Sequence, residues 1–332
     1  MEEFYFDTHG IRLFNTDVLN VYAQWDNPTV IISDGPYGIG GYKGDPISHQ
    51  ELSELYEPHI ALWSQSAKPF TTLWFWNTEI GWATIHPLLE KYGWEYRACC
   101  VWNKGMAHVA GNTNTQVIRK LPVVTEVCVH YVKKVQIPID NRNLTLKEWL
   151  RYEWERTGIP INKTNEVCGV KNAATRKYFT KDHLWYFPPV EAFERLANYA
   201  NMYGVESEKP FFSLDGISPL SGAEWEKMRA KFYCPIGITN VWDEPPLAGK
   251  ERLKNGSKAI HLNQKPLKLI RNIIQMSSDK GDVIWEPFGG LFTGAIASHG
   301  LQRCYYSAEI DNQVYAIGKE RILSHINQPQ LF

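Results

Sequence analysis

The sequence predicts an α/β protein: a doubly wound, mostly parallel sheet covered on both faces, interrupted by a mainly helical insert. Three observations carry this. Short β-branched or aromatic runs alternate with helical stretches at both ends of the chain, the pattern of a covered parallel sheet. Thr71-Thr72-Leu73-Trp74-Phe75-Trp76 is continuously apolar, as a strand covered on both faces must be. Between residues 141 and 257 the alternation stops and helix signals follow one another.

Taken in order, residues 11–17 read as a short strand ending in Asp17, and 18–25 as a short helix. Residues 29–33 form a strand that runs into Asp34-Gly35-Pro36-Tyr37-Gly38. The polar, Gly-containing stretch 42–48 reads as a mobile loop beside it. Helical spacing covers 53–66 and 80–92, the latter closed by Gly93. Residues 96–102 and 123–131 are two more strands.

In the insert, Thr145-x-x-Glu148 is a capping box for a helix to about 157. A second helix covers 162–168, Gly169 makes a turn, and Asn172 caps a third through 178. Helix, Gly turn, helix resembles a helix-turn-helix unit. Lys163, Lys171, Arg176, Lys177 and Lys181 lie here against the single acid Glu166, a local +4 on a chain of net charge -1. Asn172 and Arg176 stand one turn apart on one face and suit base edges. Lys171, Lys177 and Lys181 suit phosphates. Pro188-Pro189 precedes a helix over 190–203, and Ser221-x-x-Glu224 opens another to about 232. After a basic linker at 250–258, the α/β pattern returns. A helix covers 267–276, a strand 282–285, Gly289-Gly290 opens a further helix, and a strand over 304–307 ends near Glu309.

Composition narrows the class. With 332 residues, 44% hydrophobic and 21% charged, the chain can bury a large core and is not disordered. A near-neutral total excludes a protein that coats nucleic acid but leaves room for a local basic face. Six cysteines without a Cys-x-x-Cys pair give no zinc ribbon, and no metal site is expected. Scattered cysteines without a signal peptide point to the reducing cytoplasm. No apolar run reaches the roughly 20 residues of a membrane span.

The chemistry sits at two strand ends. Asp34 can accept one N–H of an exocyclic amine and the Gly35 carbonyl the other. Pro36 stiffens the turn, and Tyr37 offers a face for an unstacked base. In Val283-Ile284-Trp285-Glu286-Pro287-Phe288-Gly289-Gly290 an acid precedes glycines that let a ligand approach the backbone. Glu309, at the end of the next strand, is placed to hold ribose hydroxyls.

Together these stretches resemble the DNA amino-methyltransferases, which methylate adenine N6 or cytosine N4. Asp34-Gly35-Pro36-Tyr37 is similar to their Asp-Pro-Pro-Tyr catalytic motif. Glu286-Pro287-Phe288-Gly289-Gly290 is similar to their Asp-Pro-Phe-x-Gly motif, which binds S-adenosylmethionine. His261-Leu262-Asn263-Gln264-Lys265-Pro266-Leu267 resembles the His-Pro-x-Gln-Lys-Pro-Leu motif beside that cofactor. The order, catalytic motif first and cofactor motif last, is that of the permuted β group. The resemblance implies a Rossmann-like fold with a catalytic half at 1–140, a target-recognition insert at 141–257 and a cofactor half at 258–332. It implies S-adenosylmethionine as cofactor, held by Asp17, Lys265, Glu286, Phe288, Gly289, Gly290 and Glu309, and double-stranded DNA as partner. The expected reaction is methyl transfer to a flipped base, adenine favoured over cytosine because Asp stands first in the catalytic motif. RNA or protein-glutamine methylation and a dead DNA-binding regulator are the alternatives. No nuclease constellation is visible, so a restriction partner would be another chain. Gly35 replaces the first Pro, Glu286 replaces Asp, and Leu291-Phe292 stand where small residues and a second Gly are usual.

Overall fold

The computed structural model describes residues 5–41, 44–106, 109, 118–119, 121–171, 175–247, 252, 254–255, 258–259 and 264–327. Asn172 and His261-Leu262-Asn263 lie outside the described residues, as do Tyr42 and Lys43 of the loop and most of the 250–258 linker. The chain divides into two compact units, Met1–Lys133 with Ala230–Phe332, and Lys134–Arg229.

The strands in chain order are β1 Tyr5–Thr8, β2 Ile11–Phe14, β3 Val30–Ser33, β4 Thr72–Asn77, β5 Trp94–Asn103, β6 Thr125–Lys133, β7 Ile137–Ile139, β8 Arg142–Leu144, β9 Val241–Asp243, β10 Lys254–Asn255, β11 Lys258–Ala259, β12 Val283–Glu286 and β13 Cys304–Ala308. The helices are α1 Leu52–Ser66, α2 Glu79–Lys91, α3 Leu146–Arg156, α4 Lys163–Val167, α5 Arg176–Phe179, α6 Val190–Tyr203, α7 Gly222–Glu226, α8 Leu267–Ser277, α9 Thr293–Gly300 and α10 Asn312–Ile326.

The first unit is built on a nine-stranded sheet of order β1-β2-β13-β12-β3-β4-β6-β5-β9. Strands β2, β13, β12, β3 and β4 run parallel, while β6 lies antiparallel between β4 and β5. Alternation splits the apolar runs between two cores. Val30, Ile32, Trp74 and Trp76 face Ile270, Ile273 and Ala295 of α8 and α9. Ile31, Leu73, Phe75 and Trp285 face Tyr56, Ile60 and Ile85 of α1 and α2. All six residues of β4 are buried, which is why that stretch reads as unbroken apolar sequence. The adjacent carboxyl ends of β3, β12 and β13 come to one edge, where an open α/β sheet binds its ligands.

Three expectations change. Residues 18–25 are two 3-10 turns, Val18–Asn20 and Tyr22–Gln24, rather than one helix. Val18, Val21, Tyr22 and Trp25 are all buried, and turns of three residues bring i and i+3 to one side. The insert ends at residue 229 rather than 257, because β9 pairs with β5 and Trp242 enters the first unit's core. Accordingly α7 stops at Glu226 instead of continuing to 232. The C-terminal helix α10, capped by Asp311, has no counterpart in the sequence reading.

The second unit packs Trp149, Leu150 and Trp154 of α3 against Phe193, Leu196 and Ala200 of α6 and Trp225 of α7. The Thr145–Glu148 capping box forms as expected. The helix-turn-helix-like pair does not reach the size of a groove-reading unit. Helix α4 has five residues and α5 four, a single turn. Asn165 Oδ1 takes the N–H and hydroxyl of Thr175, so Thr175 starts the second helix and Arg176 lies in its first turn.

Candidate active site

Asp34 follows β3, Glu286 ends β12 and Glu309 follows β13, so three strand ends deliver three acids to one cleft. The cleft holds about 590 Å³ of empty space, part of it open to solvent, and Asp34, Gly35, Lys265, Glu286, Phe288, Gly289, Gly290 and Glu309 line it. All these residues are in the first unit. The sequence motifs therefore converge, with one exception. Asp17 is exposed and accepts the Leu19 N–H as cap of its 3-10 turn; it does not line the cleft.

Lys265 lines the cleft and also reaches the catalytic turn. Its ammonium is buried and lies 2.7 Å from Asp34 Oδ1, 3.0 Å from the Tyr37 hydroxyl and 3.3 Å from Glu126 Oε2. Glu126 is also paired with Lys104. Burial alone would raise the Glu126 carboxyl, but Lys265 and Lys104 overcome it and hold it down at about 2. Burial likewise works against the Lys265 charge, and Asp34 and Glu126 more than offset it, so its pKa is raised. Asp34 Oδ1 is thus taken by Lys265 and Tyr37, while no donor among the described residues sits on Oδ2. One carboxylate oxygen is anchored and the other is left for a substrate amine.

Tyr37 departs from its expected role as an open platform. Its ring is 4% exposed, and its hydroxyl lies 2.9 Å from Asp34 Oδ1 and 3.2 Å from Glu126 Oε2. Three polar partners draw the hydroxyl inward, and the ring follows into the core.

The turn is fixed from behind. The Pro36 carbonyl accepts from Tyr56 Oη and from Asn77 Nδ2, each at 3.0 Å. Gly35 is required by space. A Cβ there would stand 2.6 Å from the Phe288 ring and 2.6 Å from the Tyr56 hydroxyl. The replacement of Pro by Gly and the seating of Phe288 over the turn are thus one packing solution.

On the other side, Glu286 is buried, and its Oε2 receives the Tyr305 hydroxyl and the Gly294 N–H at the start of α9. Burial pushes Glu286 up to about 8, against the opposing pull of those two donors. Glu309 is half-buried and accepts the Gly290 N–H at 2.9 Å and the Asp311 N–H at 2.8 Å; burial raises its pKa too. Phe292, where a second Gly is usual, adopts the left-handed φ 53°, ψ 47°. That conformation is costly for a bulky residue. Its ring is fully buried between Gly289 and Gly318, where a Cβ would approach it to 2.3 Å and 2.6 Å. Burying a Phe ring is worth about 1.5–3 kcal/mol, enough to offset the strain.

Glu126, Lys104, Asn77, Tyr56 and Asp45 escaped the sequence reading. One signal was available for Glu126, the single acid of β6, near its start and just before Val127-Cys128-Val129. Because β6 runs antiparallel to β4, its first residues lie at the edge where β3 and β4 end.

In the second unit, Lys171, Arg176, Lys177 and Lys181 are exposed, and no acid among the described residues pairs with them. Lys163 is bound to Glu166 at 2.6 Å and contributes little net charge.

An open α/β sheet that brings a carboxylate turn after one strand beside an acid and glycines at the end of its neighbour is the frame of a ligand-binding α/β enzyme. The DNA methylase family model, of the N6/N4 amino-methyltransferases, matches residues 29–320. The chain belongs to this family, the S-adenosylmethionine-dependent DNA amino-methyltransferases. It is 22% identical to the type II methyltransferase M.HindIII of Haemophilus influenzae, over 93% of this chain and 94% of that one. It is 32% identical to the DNA adenine methyltransferase YhdJ of Escherichia coli, over 28% of this chain and 31% of that one. Its fold is similar to that of the M1.HpyAVI–SAM complex, at TM-score 0.53 and 14% identity over 96% of this chain and all of that one. It is also similar to the cytosine-N4-specific PvuII DNA methyltransferase, at TM-score 0.52 and 9% identity over 97% of this chain and 88% of that one.

Proposed function

We propose that the chain methylates the N6 amino group of a flipped adenine in a specific duplex sequence. The observation that carries this is Asp34, with Oδ1 anchored by Lys265 and Tyr37 and Oδ2 left to accept an amine N–H. The Gly35 carbonyl is the second acceptor. An exocyclic amine is a poor nucleophile because its lone pair is delocalised into the ring. Two fixed acceptors favour a more tetrahedral nitrogen, and transfer is then a matter of positioning and electrostatics. Lys265, Glu126, Asn77 and Tyr56 act as positioning residues for Asp34 and its turn.

The cleft suits the cofactor by its donor set. Glu286 and Glu309 present carboxyl oxygens to the cleft, Glu309 suits paired hydroxyls, and the Gly289–Gly290 backbone admits close approach. S-adenosylmethionine, when bound, supplies the activated methyl group. Adenine is favoured over cytosine by Asp34 at the first motif position and by the similarity to an adenine methyltransferase. Lys171, Arg176, Lys177 and Lys181 act as phosphate contacts on the second unit, and any cognate endonuclease is a separate chain.

The test is to express the protein in a methylation-deficient host and sequence the DNA by a long-read method that reports modified bases. N6-methyladenine at one recurrent site is the expected result. N4-methylcytosine would move the assignment to the other base, and unmodified DNA would overturn it. Asp34→Ala should cut turnover by about a hundred- to a thousandfold, with calorimetry showing cofactor affinity changed far less.

A further inference from the structure

The chain leaving the catalytic turn forms an arch with a fixed stem. Asp45 is 9% exposed, and its Oδ1 accepts the N–H groups of Tyr37 at 2.8 Å and Gly38 at 2.7 Å. Its Oδ2 accepts those of Ile39 at 3.3 Å and Gly41 at 2.9 Å. The Gly40 N–H donates to the Pro46 carbonyl at 2.8 Å. The two arms therefore run antiparallel with 40 against 46, which sets Ile39 across from Ile47. Gly38, at φ +70°, leaves 3.0 Å between a would-be Cβ and both His49 Cα and Leu52 Cγ, so the stem is seated on the start of α1. From within the stretch that reads as a mobile polar loop, Asp45 thus ties itself to the backbone of 37–41.

What the arch holds out is apolar. Ile39 is 52% exposed and Ile47 85% exposed, and Ile47 Cγ2 lies only 3.1 Å from where a Gly40 Cβ would be. These two stand in water two and ten residues beyond Tyr37, on the chain that begins at Asp34. β-Branched side chains are stiff at χ1, so they hold their shape when pushed.

We propose that Ile39 and Ile47 form a wedge that enters the DNA stack at the target and occupies the space the extruded base leaves. The proposal rests on the base-flipping reading of the active site. Extruding a base exposes the faces of its neighbours, and an inserted apolar side chain replaces the lost stacking. The Asp45 stem supplies the stiffness a wedge needs, since four backbone N–H groups must be released before the arch can fold back.

The test compares the parent, I39A/I47A and I39L/I47L on two duplexes carrying the site found by sequencing. In one the target base is paired; in the other it faces an abasic position and is already loosely held. Labelled S-adenosylmethionine reports transfer, and calorimetry reports cofactor binding. I39A/I47A should lose roughly tenfold or more in kcat/KM on the paired duplex. On the abasic duplex it should stay within about twofold of the parent. I39L/I47L keeps the apolar bulk and should follow the parent on both; it keeps the test decisive if the alanine form folds poorly. An alanine variant with the parent's ratio between duplexes, or equal loss on both, overturns the wedge and leaves the methylation reading intact. So does a leucine variant that behaves like the alanine one. A parent that labels neither duplex overturns the methylation reading, and the wedge with it.

Discussion

Replacing Lys265 with Met keeps the bulk of the stem and removes the ammonium. The structure says what that removes: contacts of 2.7 Å to Asp34, 3.0 Å to the Tyr37 hydroxyl and 3.3 Å to Glu126. Taking one partner from a buried ion pair costs about 3–5 kcal/mol, mostly from the charge left behind. Lys104 still holds Glu126 and the Tyr37 hydroxyl still reaches Asp34, so the low end, about 3 kcal/mol, is expected. Urea unfolding followed by tryptophan emission measures it. The loss should also depend on pH. Glu126 is held down at about 2, so its pairing stabilises the parent above the ordinary carboxylate range and is lost only as pH falls through that low value. In the variant part of that pairing is gone, and acid relieves the unpaired charge. The gap between parent and variant should therefore narrow as pH falls from neutral through the ordinary carboxylate range. Catalysis separates two roles. A residue that orients Asp34 should lower kcat by about a hundred- to a thousandfold with little change in cofactor affinity. One that holds the cofactor should weaken binding and spare kcat. A K265M protein with the parent's kcat and unfolding midpoint would refute the argument.

Gly35→Ala places a Cβ 2.6 Å from both Phe288 and Tyr56, and overpacking of this kind costs about 1–3 kcal/mol; the urea midpoint and kcat should both fall, and adding Phe288→Leu should restore part of each. Glu286, pushed up to about 8 from an ordinary 4.5, binds a proton on folding, so stability should decline as pH rises from about 4.5 to 8 and level off above; Glu286→Gln should flatten that decline in a pH series of unfolding curves. Arg176→Ala and Lys177→Ala should each weaken binding to cognate and random duplexes alike and lower the slope of log affinity against log salt by roughly one, measured by fluorescence anisotropy.

Much of the fold was legible because covered strands must be apolar on both faces. Ile31-Ile32-Ser33 and Leu73-Trp74-Phe75-Trp76 could be nothing else, and the strand-end acids followed from their position. The 3-10 turns at 18–25 were less visible, since their burial spacing of three overlaps that of an α-helix. The insert boundary was hidden for a topological reason. Trp242 lies between the 221–232 helix signal and the 250–258 linker, where the sequence offers no strand signal, and its three-residue strand pairs with the edge that β5 offers. Of the helix pair at 163–179, the first forms over the expected residues, while the second is a single turn over 176–179, because a capping residue says nothing of a helix's length. Gly169, at φ +67°, closes the first helix, with the Val170 N–H turned back onto the Asn165 carbonyl, and Asn165 Oδ1 holds Thr175 at the start of the second.

The site divides along the same line. Residues that act from a motif, Asp34, Glu286 and Glu309, announce themselves as acids at strand ends beside glycines. Residues that make the motif work do not, because their partners are distant in sequence. Lys265 is 231 positions from Asp34, so its motif points to the cofactor side of the cleft and gives no sign of the Asp34 contact. Glu126 was passed over as one acid in a strand, although β6, running against β4, had to begin at the edge where Asp34 ends its own strand. For Tyr37 the motif resemblance implies an open face for a flipped base. What turned it inward is the Asp34–Lys265–Glu126 charge cluster, which offers its hydroxyl three partners at once. A buried ammonium between two carboxylates is costly unless each group is held, and among the described residues Lys104, Tyr37 and Lys265 hold every carboxylate oxygen but one. The rest of the cluster is closed around that single acceptor, Asp34 Oδ2, which is why we assign the amine to it rather than to Glu126.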